Sequence, residues 1–383
     1  MRTERHRTHA LLAPVPGSER QLHSFHYGPE QPQGKVYIQA ALHADELPGM
    51  LVAWHLKQRL AELESEGRLR SEIVIVPMAN PAGLEQVLMD VPLGRFELES
   101  GQNFNRLFLD LSLEIGDAVE GLLTDDPTHN LHLIRHHLRE TLAQHVPVTA
   151  LQSQRLTLQT LACDADIVLD LHCDFEAVPH LYTTPDAWPR VEPLARRIGA
   201  QASLLATDSG GLSFDECLTL LWWELKQRFG HVAAIPQGCV SVTVELRGQH
   251  DVNHPMAKAD CEALLDYLID LGAIAGDPPP APALLCPATP LAGVEPVATP
   301  VGGLLVFCAR PGERLRDGQL IAQVIDPLSD RVTPIYSATE GVLYARSLRR
   351  MATAGMVIAH VAGAGEPAAS TCCRLEASDN FGH

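Results

Sequence analysis

Four short runs of aliphatic and β-branched residues, at 36–42, 72–77, 166–171 and 240–246, set the strongest limit on what this chain can become. Each has the length and composition of a strand buried on both faces. Helical patterns lie between and after them. Residues 50–63 follow Pro48-Gly49 and run toward Gly67, 131–145 and 150–161 flank Pro147, 214–229 open with the capping box Ser213-x-x-Glu216, and 255–271 stop at Gly272. Strands alternating with helices predict an α/β fold, a mostly parallel mixed sheet flanked by helices. Ligands of such sheets bind beyond the carboxyl ends of the strands.

At 383 residues the chain is longer than the roughly 250–300 at which single cores stop growing, so a second unit is expected. After Gly272 the composition shifts to Asp277-Pro-Pro-Pro-Ala-Pro, which sustains neither a helix nor a central strand. The reading is a main domain over 1–272, a proline-rich linker over 273–297 and a small all-β domain over 298–362, where short strands are separated by Gly, Pro and Asp turns. Residues 363–383 have little apolar periodicity and are expected to be a disordered tail.

A formal net charge of −18 without a Lys/Arg-rich run argues against a nucleic-acid partner. No apolar run reaches the ~18–20 residues of a membrane span, so no membrane is expected. The first residues carry Arg2, Arg5, Arg7, His6 and His9 where a signal peptide needs an apolar stretch, and nine scattered cysteines without a CxxC pair suggest neither a thiolate cluster nor a disulfide framework. A reducing cytoplasm is the simplest location.

The candidate chemistry clusters at the predicted strand ends. His43-Ala-Asp-Glu46 follows the first run, and an imidazole and a carboxylate three residues apart can reach one metal from a turn. The alternative is a solvated loop ahead of a helix. The third run ends in Asp170-Leu-His172; the two side chains share a face, so Asp170 could orient a metal-bound His172, or the two could form a buried structural pair. The fourth ends in Glu245-Leu-Arg247, where the buried acid is either functional or the partner of Arg247. The amide-rich stretch Gly101-Gln-Asn103-Phe-Asn105-Arg106, with its one guanidinium, is suited to gripping a carboxylate, against the alternative of an Asn-Arg pair of the kind found on many surfaces. The histidines at 129, 132, 136 and 137 read as a solvated helix face rather than a metal site, and Trp222-Trp223 as core or domain contact.

Together, His43-x-x-Glu46, Asn80-Pro-x-Gly83, Asn105-Arg106, Asp170-Leu-His172 and Glu245 resemble the succinylglutamate desuccinylase/aspartoacylase family, a branch of the zinc carboxypeptidase-like hydrolases, over roughly 36–248. The resemblance implies one zinc per chain held by His43, Glu46 and His172, with Glu245 as general base and then acid. It also implies that Asn105 and Arg106 bind a substrate carboxylate, the substrate being a small N-acylated amino acid. Arg95 is a further candidate, polarising the scissile carbonyl, against the alternative of an exposed structural arginine. Ala44 stands where many members have Gly, Asn103 where Asp is frequent and Cys173 where Thr is; none of these removes a ligand. The segment Pro311-Gly-Glu-x-Leu-x-x-Gly318 resembles the small β domain of the same family and of biotinyl and lipoyl carriers. It lacks lysine, which leaves a lid, substrate-selecting or homo-oligomer-forming role. The rival readings are a zinc carboxypeptidase acting on a peptide or peptidoglycan fragment and a non-catalytic metal- or carboxylate-binding protein.

Overall fold

The computed structural model describes residues 5–363. Its centre is a nine-stranded sheet in the order His6–Ala10, Gln21–Tyr27, Glu72–Val76, Lys35–Ala40, Ile167–Asp174, Val240–Gly248, His180–Thr183, Ala202–Leu205 and Thr289–Pro290. The four strands anticipated from the apolar runs are its parallel core. His180–Thr183 runs antiparallel to Val240–Gly248, and the first two strands form an antiparallel edge. The sheet is thus mixed and mostly parallel, as expected.

Alternation within the central strands divides their side chains between two cores. Ile38, Ala40, Ile167, Leu169, Leu171, Val240, Val242 and Val244 pack under the helices Pro48–Ser65, Trp188–Ile198 and His254–Asp270. Tyr37, Val74, Val76 and Val168 face the helices Ser112–Val119, Pro127–Gln144, Ala150–Ala162 and Phe214–Phe229. On this second face the apolar residues give way to Gln39, Asp170, His172, Ser241, Thr243 and Glu245, all buried. A buried polar group left without a partner costs about 1–3 kcal/mol, so a strip of them on otherwise apolar strands marks the functional face.

Five strands of the main sheet were not anticipated. The edge pair has the sequences HRTHA and QLHSFHY, which offer no continuous apolar run because an edge hairpin buries little. The helix Trp188–Ile198 was also missed, having Pro193 within it.

The smaller unit consists of two antiparallel sheets enclosing Leu305, Leu315, Ile321, Val324, Leu343, Ile358 and Val361. Its boundary differs from the expected one. Within 273–297, Thr289–Pro290 joins the main sheet and Val294–Ala298 is already a strand of the module, because their neighbours supply hydrogen-bond partners that proline composition does not predict. The main domain in turn lends Glu176–Ala177 to a module sheet. Gly363 closes the strand Val357–Gly363 and so is not part of the expected tail, whose other residues, 364–383, lie outside the described residues. Among the described residues no helix is long and apolar enough to cross a membrane.

Candidate metal centre and active site

The chain leaves the Lys35–Ala40 strand through Ala41, whose φ of 59° turns it away from the sheet, and His43 and Glu46 follow before the helix that starts at Pro48. Asn80 braces the turn: its Nδ2 donates to the Leu42 carbonyl at 2.9 Å while its Oδ1 accepts the Gly83 N–H at 2.7 Å. A Cβ on Gly83 would lie 2.4 Å from Asn80 Nδ2, and one on Gly94 would lie 2.6 Å from the Asp45 nitrogen. Two tight approaches of backbone thus fix where His43 and Glu46 point.

Glu46 lies between two imidazoles. Its Oε1 is 3.0 Å from His43 Nδ1, and its Oε2 is 2.8 Å from His172 Nδ1 and accepts the Cys173 N–H at 3.1 Å. His43, Glu46 and His172 each offer one ligand atom, all within 4.8 Å of one another, a group that could hold a metal ion. A four-coordinate ion bound at ~2.0–2.2 Å wants its donors roughly 3.3–3.5 Å apart, so only small adjustments are needed.

The far side of each ring strengthens the fit. His43 Nε2 is 2.8 Å from Asn103 Oδ1, which also accepts the Asn105 N–H at 2.8 Å. An oxygen taking a backbone N–H is a carbonyl oxygen, so His43 Nε2 must be the donor and Nδ1 keeps its lone pair toward Glu46. His172 Nε2 is likewise 3.0 Å from Asp170 Oδ2. Asp170 is held from behind, its Oδ1 accepting from Gln39 Nε2 at 3.0 Å while Gln39 Oε1 accepts from Tyr37 at 3.0 Å. Such outer contacts orient imidazoles for a metal. Gln39 and Tyr37 were missed in the sequence; the polar Gln39 inside an apolar run was the available signal.

Electrostatically the three groups are tightly coupled. Burial, reinforced by Arg95, pushes His43 down to about 4. Burial alone would lower His172 as well, but Asp170 and Glu46 outweigh it and hold it well above its ordinary value. Burial alone would raise Glu46; the facing histidines hold it well below the usual carboxylate range.

Arg95, Asn105, Arg106 and Glu245 all line the same cavity, which has a volume of about 150 Å³. Arg95 is not the exposed structural arginine considered above: its Nη1 donates to Glu46 Oε1 at 2.6 Å. Arg106 Nη1 donates to the Asn105 carbonyl at 2.7 Å, and Asn105 Oδ1 accepts the Phe214 N–H at 2.8 Å, tying this segment to the start of the Phe214–Phe229 helix. Glu245 is 4% exposed, opposite His172 in the strand register. Burial, then the nearby Glu46 charge, raises its carboxyl to about 8.

The Glu245–Arg247 pair does not form. The register shifts after Glu245 and Arg247 takes a φ of 67°, which turns its guanidinium to Asp260, reached by Nη1 at 3.0 Å. His129, His132 and His136 are exposed on the Pro127–Gln144 helix, away from this cavity. Trp222 is core, and Trp223 is 38% exposed. Sequence reasoning missed much of the remaining cavity wall: Tyr182, Ser213, Asp215, Thr219, and from the small module Tyr344, Val357 and His360. Tyr182 and Tyr344 meet across the unit boundary with hydroxyls 3.5 Å apart.

Comparison with known proteins bears on this site. Residues 32–270 match the model of the succinylglutamate desuccinylase/aspartoacylase catalytic domain. No curated protein matches the chain. A solved succinylglutamate desuccinylase/aspartoacylase family protein from Shewanella amazonensis SB2B is 25% identical with a TM-score of 0.81, the match covering 93% of this chain and 98% of that one. One from Shewanella frigidimarina NCIMB 400 is 24% identical with a TM-score of 0.82, covering 94% and 97%. The product-bound ectoine utilization protein EutE (DoeB) from Ruegeria pomeroyi shares the fold, at 15% identity, TM-score 0.64 and 94% coverage of each chain. The family match spans well over half of the chain and contains the whole His43, Glu46, His172 and Glu245 constellation, so this protein belongs to the succinylglutamate desuccinylase/aspartoacylase family of hydrolases.

Proposed function

We propose that this chain is a zinc-dependent amidohydrolase that cleaves the amide of a small, carboxylate-bearing N-acylated amino acid, a carbon–nitrogen bond other than a peptide bond, to release an acid and an amine. The observation that supports it best is the meeting of His43, Glu46, His172 and Glu245 in one cavity that Arg106 also lines. Zinc held by His43 Nδ1, a Glu46 oxygen and His172 Nδ1 would supply Lewis-acid polarisation of the carbonyl and acidify the attacking water.

The chain's own groups account for the rest. Asn103 and Asp170 keep the two Nδ1 lone pairs aimed inward. Burial beside Glu46 raises the proton affinity of Glu245, and a bound cation would bring it back down toward working pH, so that its carboxylate takes a proton from water and returns it to the departing nitrogen. Arg106 and Asn105 grip the substrate carboxylate, and Arg95 at the cavity wall faces the carbonyl oxygen as charge develops there.

Tyr344, Val357 and His360 of the small module line the cavity together with the candidate metal ligands, which favours a small substrate and this reading over a carboxypeptidase. A binding protein has no use for a buried acid tuned like Glu245. The test is zinc content together with hydrolysis of N-acetyl, N-succinyl and N-formyl amino acids. Near-stoichiometric zinc and turnover of at least one acyl series are expected; a zinc-loaded chain that cleaves peptides but no member of the panel would overturn the deacylase reading.

A further inference from the structure

Buried arginines elsewhere in the main domain meet acids: Arg135 Nη2 is 2.7 Å from Asp166 Oδ1, and Arg197 Nε is 2.6 Å from Asp270 Oδ2. Arg155, on the helix Ala150–Ala162 and 6% exposed, is bonded differently. Its Nη1 donates to Gln102 Oε1 at 3.0 Å and its Nη2 to the Asn103 carbonyl at 2.8 Å, so both partners are neutral. Burial outweighs the charge of Glu97 and brings the guanidinium down to about 10. A cation taken out of water without a bonded carboxylate is costly, so the bonds it makes mark a position that matters.

Those bonds hold a reversal of the chain. Glu97 N–H donates to the Gln102 carbonyl at 2.8 Å and Phe104 N–H to the Arg95 carbonyl at 3.1 Å, so residues 95–104 fold back on themselves, with Phe96 bridged to Asn103. The Asn103 carbonyl and the Phe104 N–H belong to one planar peptide group. Arg155 grips one end of that plane and the Arg95 backbone grips the other. From the same residue the Asn103 side chain reaches His43 Nε2 at 2.8 Å.

Gln159, one helical turn further on and 2% exposed, closes the far end of the segment. Its Oε1 accepts the Leu109 N–H at 3.2 Å and its Nε2 donates to the Leu109 carbonyl at 2.9 Å. Spaced i and i+4, Arg155 and Gln159 share a helix face and bracket residues 102–109, with Asn105 and Arg106 between the two grips. Neither side chain is among those that line the cavity, so what they do for the site passes through the segment they hold.

We propose that Arg155 is a positioning residue for the metal centre: it fixes the Asn103 peptide so that the Asn103 side chain holds His43 in the tautomer that presents Nδ1 to the metal, with Gln159 as the second anchor of the same segment. The proposal rests on the reading of His43 as a metal ligand.

The test is a double-mutant cycle on zinc affinity, measured by chelator competition for the wild type, Arg155→Met, Asn103→Ala and the double variant. Arg155→Met should weaken binding several-fold, and by no more than the roughly 10- to 100-fold that loss of an outer contact to a ligand costs. In the Asn103→Ala background the same substitution should change affinity by less than about 3-fold, because the route is already cut. Arg155→Lys, which keeps the charge and loses the fork, should fall between wild type and Met, and it takes the place of Met in the cycle where Met does not fold. Wild-type affinity in a folded Arg155→Met chain, or equal losses in the two backgrounds, would overturn the proposal, since a merely structural arginine acts whether or not Asn103 is present. If the wild type takes up no zinc, the metal reading fails by itself, and the nitrogen NMR shifts of the His43 ring decide the positioning role. A ring protonated at Nε2 in the wild type and shifted toward the other tautomer in the Arg155 variant upholds it; an unchanged tautomer ratio removes it.

Discussion

Asn103 Oδ1 sits 2.8 Å from His43 Nε2 and holds that ring in the tautomer whose Nδ1 lone pair faces Glu46. A neutral amide here does what a carboxylate does for His172, where Asp170 is 3.0 Å from Nε2. Asn103→Ala should therefore weaken zinc binding by roughly 10–100-fold, the usual effect of removing such a contact, while Asn103→Asp should bind at least as tightly as the wild type. Chelator competition measures both. Wild-type affinity in Asn103→Ala would mean that the tautomer is fixed by something other than this amide.

Metal uptake should depend on pH. Without a cation His172 is held well above its ordinary value and Glu245 is raised to about 8, so both carry protons at pH 7. A metal at His172 Nδ1 must displace that proton, and its charge lowers the Glu245 carboxyl as well, so binding releases protons and affinity rises with pH. About one to two protons should appear per zinc between pH 6 and 8. Calorimetry in buffers of different ionisation enthalpy reads this number, and a value of zero would contradict the assigned protonation.

Glu245→Gln keeps the size of the side chain and removes its basicity. On the proposed mechanism kcat should fall by roughly 10²–10⁴ while zinc content stays near one per chain. Loss of zinc in this variant would make Glu245 a ligand instead. The alternative of a structural pair with Arg247 no longer competes, because Arg247 is bound to Asp260.

Arg106→Ala should raise KM strongly for substrates bearing a free carboxylate and hardly at all for their amides, since one guanidinium contact is removed. Equal loss for both would show that Arg106 matters through its packing on Gly211 rather than through substrate.

The legibility of the site followed from where its chemistry falls. His43, His172 and Glu245 each follow or end an apolar run, and those runs became adjacent parallel strands, so placing the strands also placed these candidate site residues. Asp215, Ser241 and Tyr344 were illegible for the opposite reason. Asp215 is disguised as an ordinary first-turn acid beside a capping box, Ser241 as a small residue in a strand, and Tyr344 reaches the cavity from a different unit. The edge strands escaped because they are polar on one face, and residues 289–298 because proline-rich composition conceals the partners that make strands of them.

That concealed pairing changes what proteolysis should yield. The proline-rich stretch 277–288 holds no helix or strand, so it remains the expected site of a nick. Yet Glu176–Ala177 pairs with the module's Gly341–Arg346 strand, Thr289–Pro290 pairs with the Ala202–Leu205 strand, and Tyr344 packs beside Tyr182 inside the cavity. A nicked chain should therefore show two bands in denaturing gels and one peak in gel filtration, with activity largely kept. If the pieces separate under native conditions, the module is an independent domain and its side chains cannot be fixed parts of the cavity wall. If they stay together, Tyr344→Ala should alter KM without releasing the module, because the remaining sheet contacts still hold the two units in register.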